Sequence, residues 1–311
     1  MKLKDLKEKI TFEKIIYIFW GIYILSLMLS STSIALSNGT FNTALKIIRY
    51  ICYIFFSIKV INDWKNGAKI TLTFIMMMLL AGIIFISSKN IEIVFTILVL
   101  FSLRKLEFDK LIKIALNIIF ITYFIIVSLA ILSIVPDWVY YREKVARHSL
   151  GFRYATDAIG IYLSIILMYF YLRKNKATKY EIFVLEVINI LLYGYTDGRT
   201  SFILISLVLL MLALSKVNCI KKFFYKIKVQ KVLKFICYTL PIILFIIFHI
   251  MVYLFSVKNN IAIKFDDMIT GRVKYAQEAY KNYNVNLFGK KIKWYRLGRI
   301  RFCRFRRKTE F

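Results

Sequence analysis

Long, uninterrupted apolar runs constrain this chain more than any other feature. Ile15–Leu36, Leu111–Val135 and Phe235–Val257 each reach the ~20 residues that a helix needs to cross a bilayer. Inside hydrocarbon every backbone N–H and C=O must be satisfied by the protein itself, which leaves helices or a closed barrel. The runs are continuous, whereas barrel strands alternate in short segments, so helices are expected. Residue usage agrees, with 59% hydrophobic residues and a mean hydropathy of +0.65. The expected fold class is all-α, a polytopic transmembrane helical bundle.

Nine spans can be read: Ile15–Leu36, Ala44–Val60, Ile70–Ile86, Ile91–Leu103, Leu111–Val135, Ala158–Leu172, Ile182–Tyr193, Ser201–Leu214 and Phe235–Val257. The fourth and seventh are short for a full crossing, and tilt, burial or partial re-entry would accommodate them. Charge orients the set. With Lys2, Lys4, Lys7, Lys9 and Lys14 in the cytoplasm, the inner loops carry Lys59, Lys65 and Lys69, then Arg104, Lys105, Lys110 and Lys113, then Arg173, Lys174, Lys176 and Lys179, and finally seven lysines from Lys216 to Lys234. The short outer loops Ser37–Thr43 and Ser87–Asn90 carry only Lys89. This alternation follows the positive-inside rule and would break at any missed or extra span. It also explains the formal net charge of +29 without nucleic acid as a partner. The first span is longer than a signal-peptide apolar region and lacks a small-x-small cleavage site, so it reads as a membrane helix. The bias toward Lys, Ile, Asn and Phe fits an AT-rich bacterial genome, and Asn38-Gly39-Thr40 carries no weight as a glycosylation site. The expected location is the bacterial cytoplasmic membrane.

Against this pattern, arginines stand on the outer side. "LLYGYTDGRTSF" (Leu191–Phe202) joins two apolar runs by a short turn that holds Asp197 and Arg199. Arg142, Arg147 and Arg153 lie in the longest internal outer loop, Pro136–Asp157, and Arg272 lies in the segment after Val257. Lysine suffices to set topology, whereas the planar guanidinium binds phosphate or carboxylate in a bidentate fork. An outer cluster of arginines points to an anionic ligand, and snorkelling to lipid phosphates is the bland alternative. Thr200 and Ser201 place Arg199 at a helix N-terminus, where free N–H groups and the helix dipole favour an anion. In "DDMITGRVKYAQEAYKNY", Ile269, Val273, Ala276, Tyr280 and Tyr283 recur at helical spacing. They mark an amphipathic helix on the outer surface, capped by Thr270, with Arg272 in its first turn.

Other candidates are fewer. His148 is the outer-loop group best suited to act as a base. Asp157 and Asp197 are outer carboxylates able to orient an arginine or accept a proton. His249, inside the ninth span, is expected to hydrogen-bond within the bundle, and Glu186 to pair with a neighbouring lysine. Trp138 and Tyr140 read as interfacial anchors. Cys52, Cys219, Cys237 and Cys303 are scattered, with no C-x-x-C pair and no histidine at ligand spacing, so neither a disulfide nor a metal site is expected. P-loop, dinucleotide, zinc-protease and nucleophile-elbow motifs are all lacking. A nucleotide-sugar enzyme and a self-contained nucleotide-driven pump are therefore disfavoured, and no cofactor is expected.

Three segments carry a resemblance. "RHSLGF" (Arg147–Phe152), "DGRTSF" (Asp197–Phe202) and "MITGRVKYAQEAYKNYNVNLFGKKIKW" (Met268–Trp294) come in the order found in Wzy-type polysaccharide polymerases, of the O-antigen ligase and polymerase superfamily, and resemble their motifs. The resemblance implies a GT-C-like, metal-independent glycosyltransferase. Such an enzyme transfers a glycan from an undecaprenyl diphosphate carrier to another lipid-linked repeat unit, building capsular or O-antigen-type polymer. It also implies that Arg147, Arg199 and Arg272 hold the diphosphate; the acceptor hydroxyl needs a base or close positioning, and His148 is the catalytic candidate read from the loop itself. Arg142, Arg153, Asp157 and Asp197 are assigned to substrate binding. Membrane lipids and other capsule-assembly proteins are the expected partners. The chain departs from its relatives in reading Arg153-Tyr154-Ala155-Thr156-Asp157 where "LGF" is often followed by a His-Pro-Asn-like sequence.

The organisation expected is a bundle over residues 1–257, an outer amphipathic segment over 258–294, and a divergent tail over 295–311. That tail, "YRLGRIRFCRFRRKTEF", shifts from lysine to arginine. A frameshift product, leaving the chain truncated and its activity in question, is the favoured reading, and a polybasic lipid anchor is the alternative. A ligase with the same architecture and a lipid-linked-oligosaccharide flippase or other transporter are the competing functions. Transporters usually carry charges and broken helices at mid-membrane. Here Gly21, Gly82 and Gly160 interrupt span interiors, and the charges gather at one face.

Overall fold

The computed structural model describes residues 3–64, 68–142, 145–174, 176–216, 227–269, 271–283 and 288–291. Its helices are α1 (Leu3–Ser30), α2 (Ser33–Ser37), α3 (Gly39–Trp64), α4 (Ala68–Ser88), α5 (Glu92–Leu103), α6 (Phe108–Ile131), α7 (Ala155–Arg173), α8 (Lys179–Thr196), α9 (Arg199–Leu214), α10 (Ile227–Ser256), α11 (Asn260–Met268) and α12 (Arg272–Tyr283). The apolar runs read from the sequence are largely helical, the first being divided between α1 and α2 and the fifth outlasting α6 by four residues. The chain is a helical membrane-type protein. By length and apolarity, five of its described helices can cross a bilayer, over Phe12–Ser30, Thr71–Ser88, Phe108–Ile131, Ala155–Arg173 and Tyr238–Ser256. Helices α5 and α9 are apolar but shorter. Outward-facing Phe124 and Ile131, 65% and 71% exposed, are what a lipid-facing surface requires.

Two departures from the sequence reading matter. The first apolar run breaks after Ser30, because Thr32 caps a new short helix with its hydroxyl accepting from Ala35 N–H at 3.4 Å. The all-α expectation also misses a hairpin. Strands β1 (Val139–Arg142) and β2 (Val145–His148) pair antiparallel, with Tyr140 opposite Arg147 and Arg142 opposite Val145. Val139, Tyr140 and Tyr141 are strong β-formers in a polar loop.

The chain divides into two compact units, with the boundary falling inside α4 and α5. The first spans residues to Met78 and Val94–Ala213. One of its cores joins α6 to α9 through Tyr123, Ile126, Ile159, Ile166, Leu192 and Ile205, and takes in Leu150 and Phe152 of the hairpin loop. A second core joins α1, α3, α5 and α6 through Ile16, Cys52, Phe56, Val99 and Leu111. Lys59, read as a loop charge, instead lies 3% exposed on α3, paired with Asp63 at 2.9 Å.

The second unit comprises Leu79–Ile93 and the described residues of Leu214–Tyr295. Here α11 and α12 pack on α10, burying Val252, Ala262 and Val273. The expected amphipathic helix is present as α12, and part of its apolar stripe is used within the protein. Tyr280 hydroxyl lies 2.7 Å from His249 Nε2, whose Nδ1 lies 2.8 Å from the Phe245 carbonyl. A carbonyl only accepts, so Nδ1 carries the proton and Tyr280 donates. His249 therefore hydrogen-bonds to the segment read as an outer-surface helix, where a partner within the bundle was expected. Thr270 lies outside the described residues. The α12 N-terminus is capped by buried Asp266, whose Oδ1 accepts from Val273 N–H at 2.8 Å and Lys274 N–H at 3.1 Å.

Candidate functional site

Two of the sequence-read motifs meet at one end of the first unit. In "RHSLGF", β2 delivers Arg147 and His148, and the chain then turns sharply through Leu150 and Gly151, both at positive φ (51° and 82°). Glycine is needed at the second position. A Cβ on Gly151 would sit 2.9 Å from Ile126 Cγ2 and 3.2 Å from the Ile126 carbonyl of α6. The turn is sewn to the α1–α2 junction by Ser33 N–H donating to Gly151 O (2.9 Å) and Arg153 N–H donating to Ser31 O (2.8 Å). Phe152, 0% exposed, plugs the core beneath.

In "DGRTSF", Asp197 ends α8 in the left-handed region (φ 45°), its N–H donating to Tyr193 O at 2.8 Å. Gly198 follows because a Cβ there would lie 2.5 Å from Ile159 Cγ2 of α7. Helix α9 then begins at Arg199, as the sequence suggested.

Asp197 is the hub, and it is 7% exposed. Its Oδ1 accepts from Arg199 Nε at 3.3 Å, and its Oδ2 stands 3.9 Å from Arg147 Nε. Arg147 Nε also donates to the Thr196 carbonyl at 3.0 Å. Two arginines 52 positions apart in sequence therefore share one carboxylate. They differ in access: the side chain of Arg147 is 13% exposed and that of Arg199 is 58% exposed. The hydrogen bond that Arg199 donates to the Asp197 carboxylate raises the Arg199 pKa further above its already high ordinary value. Two fixed guanidinium groups around one buried carboxylate leave net positive charge, with N–H donors of Arg199 open to solvent.

Sequence reasoning passed over Asp137. Its Oδ2 lies 2.6 Å from His148 Nδ1, and its Oδ1 accepts from Leu150 N–H (2.8 Å) and the Ser149 hydroxyl (3.2 Å). The carboxylate thus ties the motif's turn together and orients the imidazole through Nδ1, leaving Nε2 as the group for proton exchange. The His148 ring meets Tyr195 edge-on at 6.2 Å. The only sequence signal was position, an acid at the start of the long polar stretch between α6 and α7.

The remaining candidates fall as follows. Asp157 accepts from Tyr154 N–H at 3.1 Å at the start of α7, a capping position. Arg153 has a buried Nε with no hydrogen-bond partner among the described residues, and its carbonyl accepts from the Tyr140 hydroxyl at 2.5 Å. Tyr140, read as an interfacial anchor, therefore clamps this loop. Arg142 belongs to β1, but its side chain lies outside the described residues. Arg272 is the exposed first residue of α12, in the second unit. Among the described residues, Glu186 has no lysine partner. It accepts from the Ser206 hydroxyl of α9 at 2.7 Å and lies 3.4 Å from Asn189 Nδ2. Among the described residues, no three His, Cys, Asp or Glu side chains gather to hold a metal.

No family model, curated protein or solved structure matches this chain. Any functional reading therefore stands on the motifs and their geometry.

Proposed function

We propose that the protein is a membrane glycosyltransferase that polymerises undecaprenyl-diphosphate-linked oligosaccharide repeat units into capsular or O-antigen-type polysaccharide. In this reading it is a nine-span, GT-C-like bundle of a bacterial cytoplasmic membrane, with its N-terminus inside and the Asp197 turn at the outer surface. The observation that carries the proposal is the Arg147–Asp197–Arg199 cluster, which joins two motifs resembling those of the polymerases.

The chemistry suits the residues. An acceptor sugar hydroxyl attacks the anomeric carbon of the donor glycan. The new C–O bond forms as the bond to the carrier breaks, and the diphosphate leaves with the electron pair. The hydroxyl proton passes to His148 Nε2, while Asp137 holds Nδ1 and stabilises the imidazolium. Negative charge grows on the diphosphate oxygens, where preorganised guanidinium groups stabilise the transition state most. Asp197 keeps both guanidiniums in place before substrate arrives, so little reorganisation is needed.

The test is Arg199→Lys. Lysine keeps the positive charge and loses the bidentate fork. Loss of one preorganised donor commonly costs ~3 kcal/mol, on the order of a hundredfold in rate. Polymer ladders from membranes with lipid-linked repeat units should collapse to single units at unchanged protein level. Wild-type ladders from the lysine variant would leave Arg199 an interface residue and sink the proposal.

One observation favours a transporter as the second reading. Glu186, Asn189 and Ser206 form a polar cluster inside apolar helices, where transporters keep their sites. Substrate-dependent flux across vesicles, unaffected by Arg199→Lys, would select it.

A further inference from the structure

At the end of the first unit opposite the Asp197 turn, α6, α7 and α8 enclose an open cavity of about 590 Å³. Its walls are mainly apolar, built from Leu116 and Phe120 of α6, Ile165 and Ile166 of α7, and Val184 and Leu185 of α8. That volume lies within the ~300–1,000 Å³ of small-molecule sites. At their basic ends all three lining stripes lead to cations. On α6, Lys113 precedes Leu116, Asn117 and Phe120 at the i+3, i+4 and i+7 spacing of one helix face. On α7, Ile166 and Tyr169 lead on to Arg173, whose guanidinium lies 5.6 Å from the Tyr169 ring centre. Helix α8 begins at Lys179, beside cavity-lining Tyr180 and Glu181.

Charge at this mouth is unbalanced. Glu107, Asp109 and Glu181 each already hold a base: Lys110, Lys174 and Arg173 respectively. Lys113, Lys176 and Lys179 are exposed and have no acidic partner among the described residues. The result is an apolar shaft with a cationic rim, a shape that accepts a hydrocarbon chain carrying an anionic head.

We propose that this groove binds an anionic phospholipid of the leaflet at the basic end of the bundle, with an acyl chain in the shaft and its phosphate at Lys113 and Lys179. Tyr169 and Tyr180 stand at the level where an aromatic ring meets both chain and headgroup. The Arg173–Glu181 pair fixes the rim, and Arg173 retains donors beyond the one it gives Glu181. By the charge rule this is the cytoplasmic leaflet, where anionic lipid attracts such clusters. The site is independent of the glycan chemistry proposed above.

The experiment is lipid retention by the purified protein, read by native mass spectrometry. Phosphatidylglycerol and phosphatidylcholine with identical acyl chains would be offered in equal amounts. The wild type should retain phosphatidylglycerol about tenfold more, because the choline of phosphatidylcholine cancels the charge of its phosphate and removes most of the attraction to Lys113 and Lys179. Lys113→Gln with Lys179→Gln should abolish the preference. Val184→Trp, filling the shaft, should lower retention of both lipids. Circular dichroism melts matching wild type would establish that the variants fold. Equal retention by the wild type, or a preference surviving the lysine changes, would overturn the proposal. So would displacement by a polyprenyl phosphate at equal mole fraction, which would assign the groove to a carrier lipid, or protection only in a dimer, which would assign it to a second copy.

Discussion

At the residue scale, the site is governed by where side chains are forbidden as much as by where they act. Gly198 lies between Asp197 and Arg199 because a Cβ would collide with Ile159 Cγ2 at 2.5 Å, and Ile159 is itself 0% exposed. Gly198→Ala should therefore destabilise the protein by about 1–3 kcal/mol, the usual range for overpacking, and displace the Asp197 turn. Ile159→Ala removes the obstructing methyl but opens a cavity of its own, so the double variant should lose less thermal stability in detergent than the sum of the two single losses. Purely additive losses would show that the two positions do not touch. The same relief is not expected at Gly151, where positive φ and a nearby backbone carbonyl add strain that no side-chain trimming removes. The sequence displayed both glycines and both arginines. It did not display that Asp197 serves both arginines, because the partner of a long flexible side chain depends on which loops become neighbours.

At the element scale, helices α8 and α9 form a hairpin held at two levels. Near its turn is the Asp197 cluster. Within the helices, Asn189 Nδ2 lies 3.0 Å from Ser206 Oγ and 3.3 Å from the Phe202 carbonyl, while Ser206 donates to Glu186. A half-buried carboxylate among apolar helices is stabilised by donors of this kind. Ser206→Ala should cost about 1 kcal/mol, in line with interhelical hydrogen bonds in membranes. In a double-mutant cycle with Glu186→Gln, measured by denaturant titration in micelles, the two changes should couple. Additivity would mean that Glu186 does not rely on Ser206. Glu186 was legible as an oddity in an apolar run. Its partners were not, since hydropathy places a polar residue in a span without saying which neighbouring helix it faces.

At the scale of the whole molecule, charge asymmetry is the strongest organising signal. Lys113, Arg173 and Lys179 lie at one end of α6–α8, and the hairpin and the Asp197 turn lie at the other. With the basic end inside, single cysteines at positions 142 and 199 in a Cys-free background should react with an impermeant maleimide on intact cells. One at position 179 should react only after permeabilisation. The reverse pattern would invert the topology and remove an outer-surface glycan site from consideration.

The sequence by itself determined the helical class, the largely helical state of the apolar runs, and the Asp197–Arg199 turn at a helix end. These follow from local quantities: run length, backbone satisfaction in hydrocarbon, and helix termini. It misread the strand pair at Val139–His148, because a short hairpin inside a long polar loop has weak periodicity. Tertiary structure alone decided that Asp137 holds His148, that Asp197 joins Arg147 to Arg199, that Asp266 caps α12, and that Glu186 answers to Ser206. Each is a contact between residues far apart in sequence or on different turns. The folding free energy sets such contacts through burial, since a polar group taken out of water accepts whichever partner packing brings within about 3 Å.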